Sequence, residues 1–386
     1  MKQIKTILYI LILISLVGCI KPYEPEFKEE SVNKYVVEGG INSVPGLQQI
    51  SISITSSVTN PHYIPVDGCR GEIIDELGNS FPLEAFGDGK YGCWMTENNL
   101  VIGRAYMLKV ILPDGDIIES KYDRMPSGPE VDDIYYEVED IPTNTPGSWV
   151  HGLQFYTNLR ANETDSKYYR WRLIETWESH TQYPKEFYYD GEVGRIVPPD
   201  SSKMYCWTIR NIDEIFTLTT ENFSSNEYEQ FPLHFIPNTT AKLAIQYSLL
   251  VQQIALSQDA YTYWDQLRIN SSQDGGLYNT QPIAIKGNME NINNPDKEVL
   301  GFFQAYSLTS RRIFVGGIGD LNNNYSDGCQ ESELGHGGFL NICPCDYPAY
   351  LLSDGETYSM TVISNECVDC TLRGGSTIKP DYWPTK

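Results

Sequence analysis

A period of two in the placement of apolar residues constrains the fold of this chain most. Ile50, Ile52 and Ile54 alternate with Ser51, Ser53 and Thr55, the pattern of a strand with one buried and one solvated face. Leu77-Gly78-Asn79 separates Glu72-Ile73-Ile74 from Phe81-Pro82-Leu83, which is a hairpin signal. Tyr106 to Leu112 and Ile117 to Ser120 flank Pro113-Asp114-Gly115, a turn in which Pro presets φ and Gly tolerates φ > 0. Short strands at regular spacing predict a small immunoglobulin-like β-sandwich over residues 32–125. Met125-Pro126-Ser127-Gly128-Pro129 then reads as a linker.

Residues 130–386 read as a larger β-rich domain, so the expected class is mainly β. Tyr169, Trp171, Leu173 and Trp177 lie on one apolar face, while Arg170, Arg172 and Thr176 face the other way. One helix is predicted. Ser257 can cap it, Asp259 suits its positive end, and Ala260, Trp264 and Leu267 fall at i, i+4 and i+7. Gly275-Gly276 ends that region.

At 386 residues, two domains are expected and a third is allowed. Hydrophobic residues make up 41 %, enough for a sizeable core and too many for a disordered chain. Acids outnumber bases 51 to 28, and the net charge of −23 argues against nucleic acid, which calls for a basic footprint. No apolar run reaches the ~20 residues of a membrane-spanning helix.

The N-terminus carries an address. Lys2 and Lys5 precede an apolar stretch from Ile7 to Val17, broken by Tyr9 and Ser15, which fits residues 1–18 as a secretory signal. Leu16-Val17-Gly18-Cys19 resembles a bacterial lipobox, in which the thiol is acylated and the chain is cut just before it. Cys19 is therefore the expected lipidation site, and removal of Lys2 and Lys5 takes the net charge from −23 to −25. Acyl chains then anchor the protein, each buried CH₂ contributing about 0.8 kcal/mol. Residues 19–31, with Glu24, Glu26, Glu29, Glu30, Pro22 and Pro25, read as an acidic extended tether. An early acidic cluster of this kind resembles the surface-export signal of Bacteroidota lipoproteins; a solvated tether facing the periplasm is the alternative.

The other eight cysteines form an even set, which in an exported chain favours disulfides. Cys69 and Cys93 stand alone in the first third and are expected to pair. Cys206, Cys329, Cys343, Cys345, Cys367 and Cys370 are expected to bond among themselves. Cys343-Pro-Cys345 and Cys367-Val-Asp-Cys370 have zinc-like spacing, but no histidine joins them, and structural disulfides are the better reading.

Chemistry is hard to find. His62, His151, His180, His234 and His336 are scattered without a metal or triad motif. Acidic pairs such as Asp132-Asp133 and Glu139-Asp140 are expected by chance at this composition, so no glycosidase-type pair is nominated. Asp320, Asn322, Asn324 and Asp327 loosely resemble a calcium loop, but Tyr325 stands where the turn glycine belongs. No catalytic residue, metal or cofactor is expected. Binding is better signalled. Tyr183, Phe187, Tyr188, Tyr189, Tyr205 and Trp207 flank a segment with Asp190-Gly191, Gly194 and Pro198-Pro199. Tyrosine offers apolar area and a hydroxyl at modest entropy cost, which makes Tyr183, Phe187, Tyr188 and Tyr189 candidate ligand or partner contacts. Filling of a sandwich core is the alternative, and the preferred one for Trp207.

The stretch from Glu366-Cys367-Val368-Asp369-Cys370 through Arg373-Gly374-Gly375-Ser376 to Asp381-Tyr382-Trp383 resembles the terminal signature of a Bacteroidota lipoprotein family, domain of unknown function 4249. Lys286-Gly287-Asn288-Met289 with Asn294-Pro295, Val299-Leu300-Gly301-Phe302-Phe303 and Arg311-Arg312-Ile313-Phe314 is similar to a second family segment. Ala255-Leu256-Ser257 with Ala260-Tyr261, Tyr263-Trp264 and Gln281-Pro282 is a third. The resemblance implies an outer-membrane lipoprotein commonly encoded beside TonB-dependent receptors, and it carries over no catalytic residue. Its motif positions read first as structural: Arg373 would lie along a tight turn, against a buried carboxylate. The expectation is a non-enzymatic, surface-exposed protein that captures ligand for, or caps, a TonB-dependent transporter. A structural or assembly subunit of an outer-membrane complex is the runner-up, and a hydrolase with an unrecognised site the third.

Overall fold

The computed structural model describes residues 34–57, 60–143, 145–271, 285–318, 321, 325–326, 328–334, 338–353 and 360–384. Cys19, the signal and the tether lie outside the described residues, as do Gly275-Gly276, Gln281-Pro282 and most of the calcium-like loop. The chain is mainly β. The first half contributes β1 (Tyr35–Asn42), β2 (Gly46–Ile54), β3 (Ile64–Pro65), β4 (Arg70–Asp75), β5 (Ser80–Pro82), β6 (Glu84–Gly87), β7 (Lys90–Met95), β8 (Ala105–Ile111), β9 (Ile117–Ser120), β10 (Asp123–Arg124), β11 (Ile134–Pro142), β12 (Trp149–Arg160) and β13 (Tyr168–His180). There follow β14 (Lys185–Tyr189), β15 (Val193–Asp200), β16 (Tyr205–Thr219), β17 (Glu227–Pro237), β18 (Gln246–Ala255), α1 (Gln258–Ser271), β19 (Met289–Asn291), β20 (Phe303–Gly316), β21 (Glu331–Glu333), β22 (Ala349–Ser353) and β23 (Met360–Ile363).

One long sheet organises them, in the order β16-β13-β18-β20-β1-β2-β7-β6, with β3 added to β2. Its centre is the parallel pairing of β1 with β20, from Gly39 opposite Phe303 to Asn42 opposite Tyr306. Close approach demands glycine there: a Cβ on Gly40 would stand 2.1 Å from the Gln304 carbonyl oxygen. Just upstream, Gly301 has φ +100° and packs its backbone against Val37. The Asn288 side chain donates to the Phe303 carbonyl at 2.7 Å and accepts from the Phe303 amide at 2.9 Å. These motif residues set the start of β20 against β1.

One face of the long sheet covers two cores. Val37, Ile50, Ile52 and Tyr91 meet Ile73, Leu108, Val110 and Ile118 of a second sheet, β19-β9-β8-β4-β5 with β10. Tyr169, Trp171, Leu173 and Val251 meet Leu153, Phe155 and Ile236 of a third, β11-β12-β17. Strand β20 serves both: Phe303 and Ala305 enter the first core and Val315 the second, all at odd positions and hence on one face. The segment read as a linker is packed. Met125 is fully buried, and the Pro129 carbonyl accepts from Gln253 Nε2 at 2.9 Å and Thr309 Oγ1 at 3.1 Å.

The expected Cys69–Cys93 bridge does not form. Both are free, buried thiols in the first core. Cys69 precedes β4 of the second sheet, whereas Cys93 lies on β7 of the long sheet. Lying on different sheets, the two are not cross-strand neighbours, and a bridge forms only where Cα atoms come within about 7 Å and the Cβ bonds converge. Burial raises both thiols, Cys93 to about 11 with Glu84 adding to it. They act as small apolar core residues. The other six pair among themselves, as Cys206–Cys370, Cys329–Cys367 and Cys343–Cys345.

Candidate functional site

The aromatic segment is part of a separate five-stranded sheet, β15-β14-β22-β23-β21. In β14, Phe187, Tyr188 and Tyr189 stand opposite Leu351, Tyr350 and Ala349 of β22. Strand alternation puts Tyr188 on one face and its two neighbours on the other, so the three cannot form one patch. Tyr188 packs on Gly194 and lines a shallow cavity of about 330 Å³ with Ile196, Tyr347, Pro348 and Tyr350. On the other face, Tyr189 stacks on Phe339 at 4.7 Å, and the Arg195 guanidinium sits 5.1 Å from the Phe187 ring centroid. All three rings are half-buried. Tyr183 is tied elsewhere. Its amide donates to the Cys367 carbonyl, its hydroxyl donates to Glu331 Oε1 at 2.8 Å, and its ring packs on Ile363, Cys367 and Val368.

The C-terminal signature anchors this sheet. Cys370 reaches across 164 positions to Cys206 on β16, and Cys367 bonds Cys329 beside β21. Asp369 caps the intervening turn and takes Lys203 Nζ at 2.7 Å and Lys185 Nζ at 3.3 Å. Burial alone would raise its carboxyl, but Lys203, Thr371 and Lys185 together hold it at about 2. Arg373 does lie along a turn, with Gly374 left-handed behind it. The guanidinium donates to the backbone carbonyl of Glu366 at 2.8 Å rather than to the expected carboxylate. Trp207 exchanges backbone hydrogen bonds with Ser376.

A different site is built where β13 faces α1. Ser257 Oγ accepts from the Ala260 amide at 3.2 Å, capping the helix as its sequence predicts. The helix lays Tyr263 and Trp264 over the face of the long sheet that is turned away from the two cores. Trp264 Nε1 donates to Gln304 Oε1 at 2.7 Å, which fixes the indole. The Arg170 guanidinium stacks on that indole, 3.4 Å from the ring centroid. Between β13, β20, β1 and β2 lies a cleft of about 470 Å³. Its floor holds Tyr263, Phe302, Gln304 and Tyr306, all buried, and Arg172, Lys90 and Glu38 reach it from exposed positions. Burial, with the charge of Arg172 second, lowers the pKa of Arg170 to about 10, which leaves it cationic at neutral pH. Alternation along β13 puts Arg170 and Arg172 opposite the core, but it carries no sign of the helix that covers them.

The described histidines do not converge. His151 pairs with Asp140 at 2.7 Å, His180 with Glu178 at 2.7 Å, and His62 contacts the Asn60 carbonyl. His234 is pushed down to about 4 by burial and Lys242, beside the buried Glu175. His336 lies outside the described residues. Cys343, Cys345, Cys367 and Cys370, the zinc-like set, are all consumed by disulfides.

The family model described as Domain of unknown function (DUF4249) matches residues 20–312. The chain belongs to that family. The motif around Trp264 falls in the matched span and the one around Asn288 falls in it up to Arg312, whereas the C-terminal signature follows it. No curated protein matches the chain. Among solved structures, trypsin-activated alpha-2-macroglobulin from Escherichia coli aligns with a TM-score of 0.18 and 10 % identity. That alignment spans 61 % of this chain and 15 % of the other, and the likeness is too slight to carry an argument.

Proposed function

We propose that this protein is a non-enzymatic lipoprotein, held at the outer membrane through Cys19 and facing the cell exterior, that captures ligand for or caps a TonB-dependent transporter. The lipobox and the acidic tether support the address. The observation that carries the binding role is the disulfide-anchored sheet of β14 and β22. Its half-buried Phe187, Tyr188, Tyr189 and Tyr350 offer aromatic surface on both faces, on a frame held by two disulfides and the Asp369 pairs. Rigid aromatic residues are the usual anchors of a protein interface. A lipid and a short tether would keep the local concentration at the barrel high.

Two variants test the reading. Cys19→Ala abolishes fatty-acid labelling if the anchor is right, and persistent labelling contradicts it. Phe187→Ala/Tyr188→Ala/Tyr189→Ala weakens recovery of the transporter from native membranes, with truncation costing ~1–2 kcal/mol or more per anchor. Normal recovery with intact surface display removes the sheet from the interface. An unfolded triple variant assigns these rings to packing.

A further inference from the structure

The cleft under α1 contains a cation with no anionic partner among the described residues. Arg170 lies in no ion pair, and its buried Nε has no hydrogen-bond acceptor among the described residues. A buried donor left unsatisfied is destabilising, and native proteins retain few of them. Its setting is nonetheless well defined. The indole of Trp264 covers one face of the guanidinium, Gln304 holds that indole, and Gly40 lets β1 close against β20 beside it. A guanidinium stacked in this way directs its donors in its own plane, as a fork that matches a carboxylate.

The surroundings select among anions. In a chain of net charge −23, Arg170, Arg172 and Lys90 converge on one cleft, and Glu38 is the one acid among the described residues that line it. Arg172 commits its Nε to Gln252 Oε1 at 2.7 Å, whereas Arg170, the one of the three that is not exposed, has no ion pair among the described residues. The net positive charge of the cleft favours anions of either valence, and it is the planar Arg170 fork beside an apolar wall that favours a carboxylate. Tyr263, Phe302 and Tyr306 supply an apolar wall, and about 470 Å³ falls in the range of small-molecule sites, ~300–1,000 Å³. Trp94, 70 % exposed, stands directly across from Leu47 on the same face of the sheet, extending the aromatic surface past the rim. We propose that this cleft binds a small organic acid, whose carboxylate occupies the Arg170 fork and whose body lies against Tyr263 and Tyr306. The site is separate from the β14–β22 sheet and depends on neither the anchor nor the transporter, so its failure would leave that reading standing.

Calorimetric titration of the detergent-solubilised full chain tests it. The probes are benzoate and N-benzoylglycinate, each beside its neutral amide, with phenyl phosphate as competitor. The carboxylates should bind at least about tenfold more tightly than their amides, the value of a charge-assisted hydrogen bond. Arg170→Gln should erase that difference, and Arg172→Gln should reduce it far less. Equal affinity for acid and amide, no binding of either carboxylate, or unchanged binding by Arg170→Gln would overturn the proposal. Preferential binding of phenyl phosphate would overturn the carboxylate assignment. If Arg170→Gln does not fold, Arg170→Lys, which keeps the charge but lacks the fork, decides instead: weaker carboxylate binding supports the site and equal binding refutes it.

Discussion

Replacing both Cys206 and Cys370 by alanine should cost this protein much of its stability. The bridge closes a loop of 164 positions, the longest of its three. On the chain-entropy model, opening a loop of that length restores about 5 kcal/mol of freedom to the unfolded chain. Whole domains are stable by only about 5–15 kcal/mol. Both cysteines are fully buried, and alanine leaves no stranded hydroxyl in the space beside Gly375. The loss should therefore reflect the cross-link more than new polarity. Guanidinium unfolding followed by tryptophan fluorescence suits the measurement, because Trp207 adjoins Cys206 and Trp383 is buried near the same end of β13. The midpoint should fall, and limited proteolysis should release the chain beyond Cys367, which the remaining Cys329–Cys367 bridge does not hold, before the rest. A variant within about 1 kcal/mol of the parent would refute the entropic account, since that is only a fraction of the expected loss. Peptide mapping that joins Cys206 to any cysteine other than Cys370 would refute the pairing itself.

Cys69 and Cys93 should resist alkylation in the native state and react only after denaturation, as buried thiols with raised pKa do; a Cys69–Cys93 peptide in a non-reduced digest would contradict this. Asp369 should impose an acid limit. Its folded carboxyl titrates at about 2 against ~3.9 unfolded, so the stability it contributes is complete above about pH 4 and drains as pH falls towards 2. Asp369→Asn should cost about 2 kcal/mol at pH 7 and flatten the pH dependence in that window; an equal difference between parent and variant at pH 2 and pH 7 would show that the carboxylate charge is not responsible.

Local features were legible in the sequence because local rules decide them. Ile50 and Ile52 are buried as their alternation requires, Leu77-Gly78-Asn79 joins β4 to β5, and the Pro113 turn joins β8 to β9. The helix begins at its serine cap. What stayed illegible is non-local. Pairing β1 with β20 joins residues more than 260 positions apart, and a parallel strand leaves no turn motif to mark its partner. Residues 289–305 therefore complete the first core although they follow the supposed linker by over 150 positions. The Cys69–Cys93 expectation failed for a related reason: spacing does not tell whether two strands are neighbours or face each other across a core. Consecutive aromatics at 187–189 signalled a patch, but β14 divides them between two faces.

The central claim, a lipid-anchored partner of a TonB-dependent transporter, is tested most directly by gentle solubilisation of native membranes, capture of the tagged full chain and mass spectrometry of what accompanies it. The account predicts a TonB-dependent barrel in stoichiometric amount, lost with the Phe187/Tyr188/Tyr189 variant and retained by Arg170→Gln. Recovery of an outer-membrane assembly machine in place of a transporter, or of the chain alone, would contradict it.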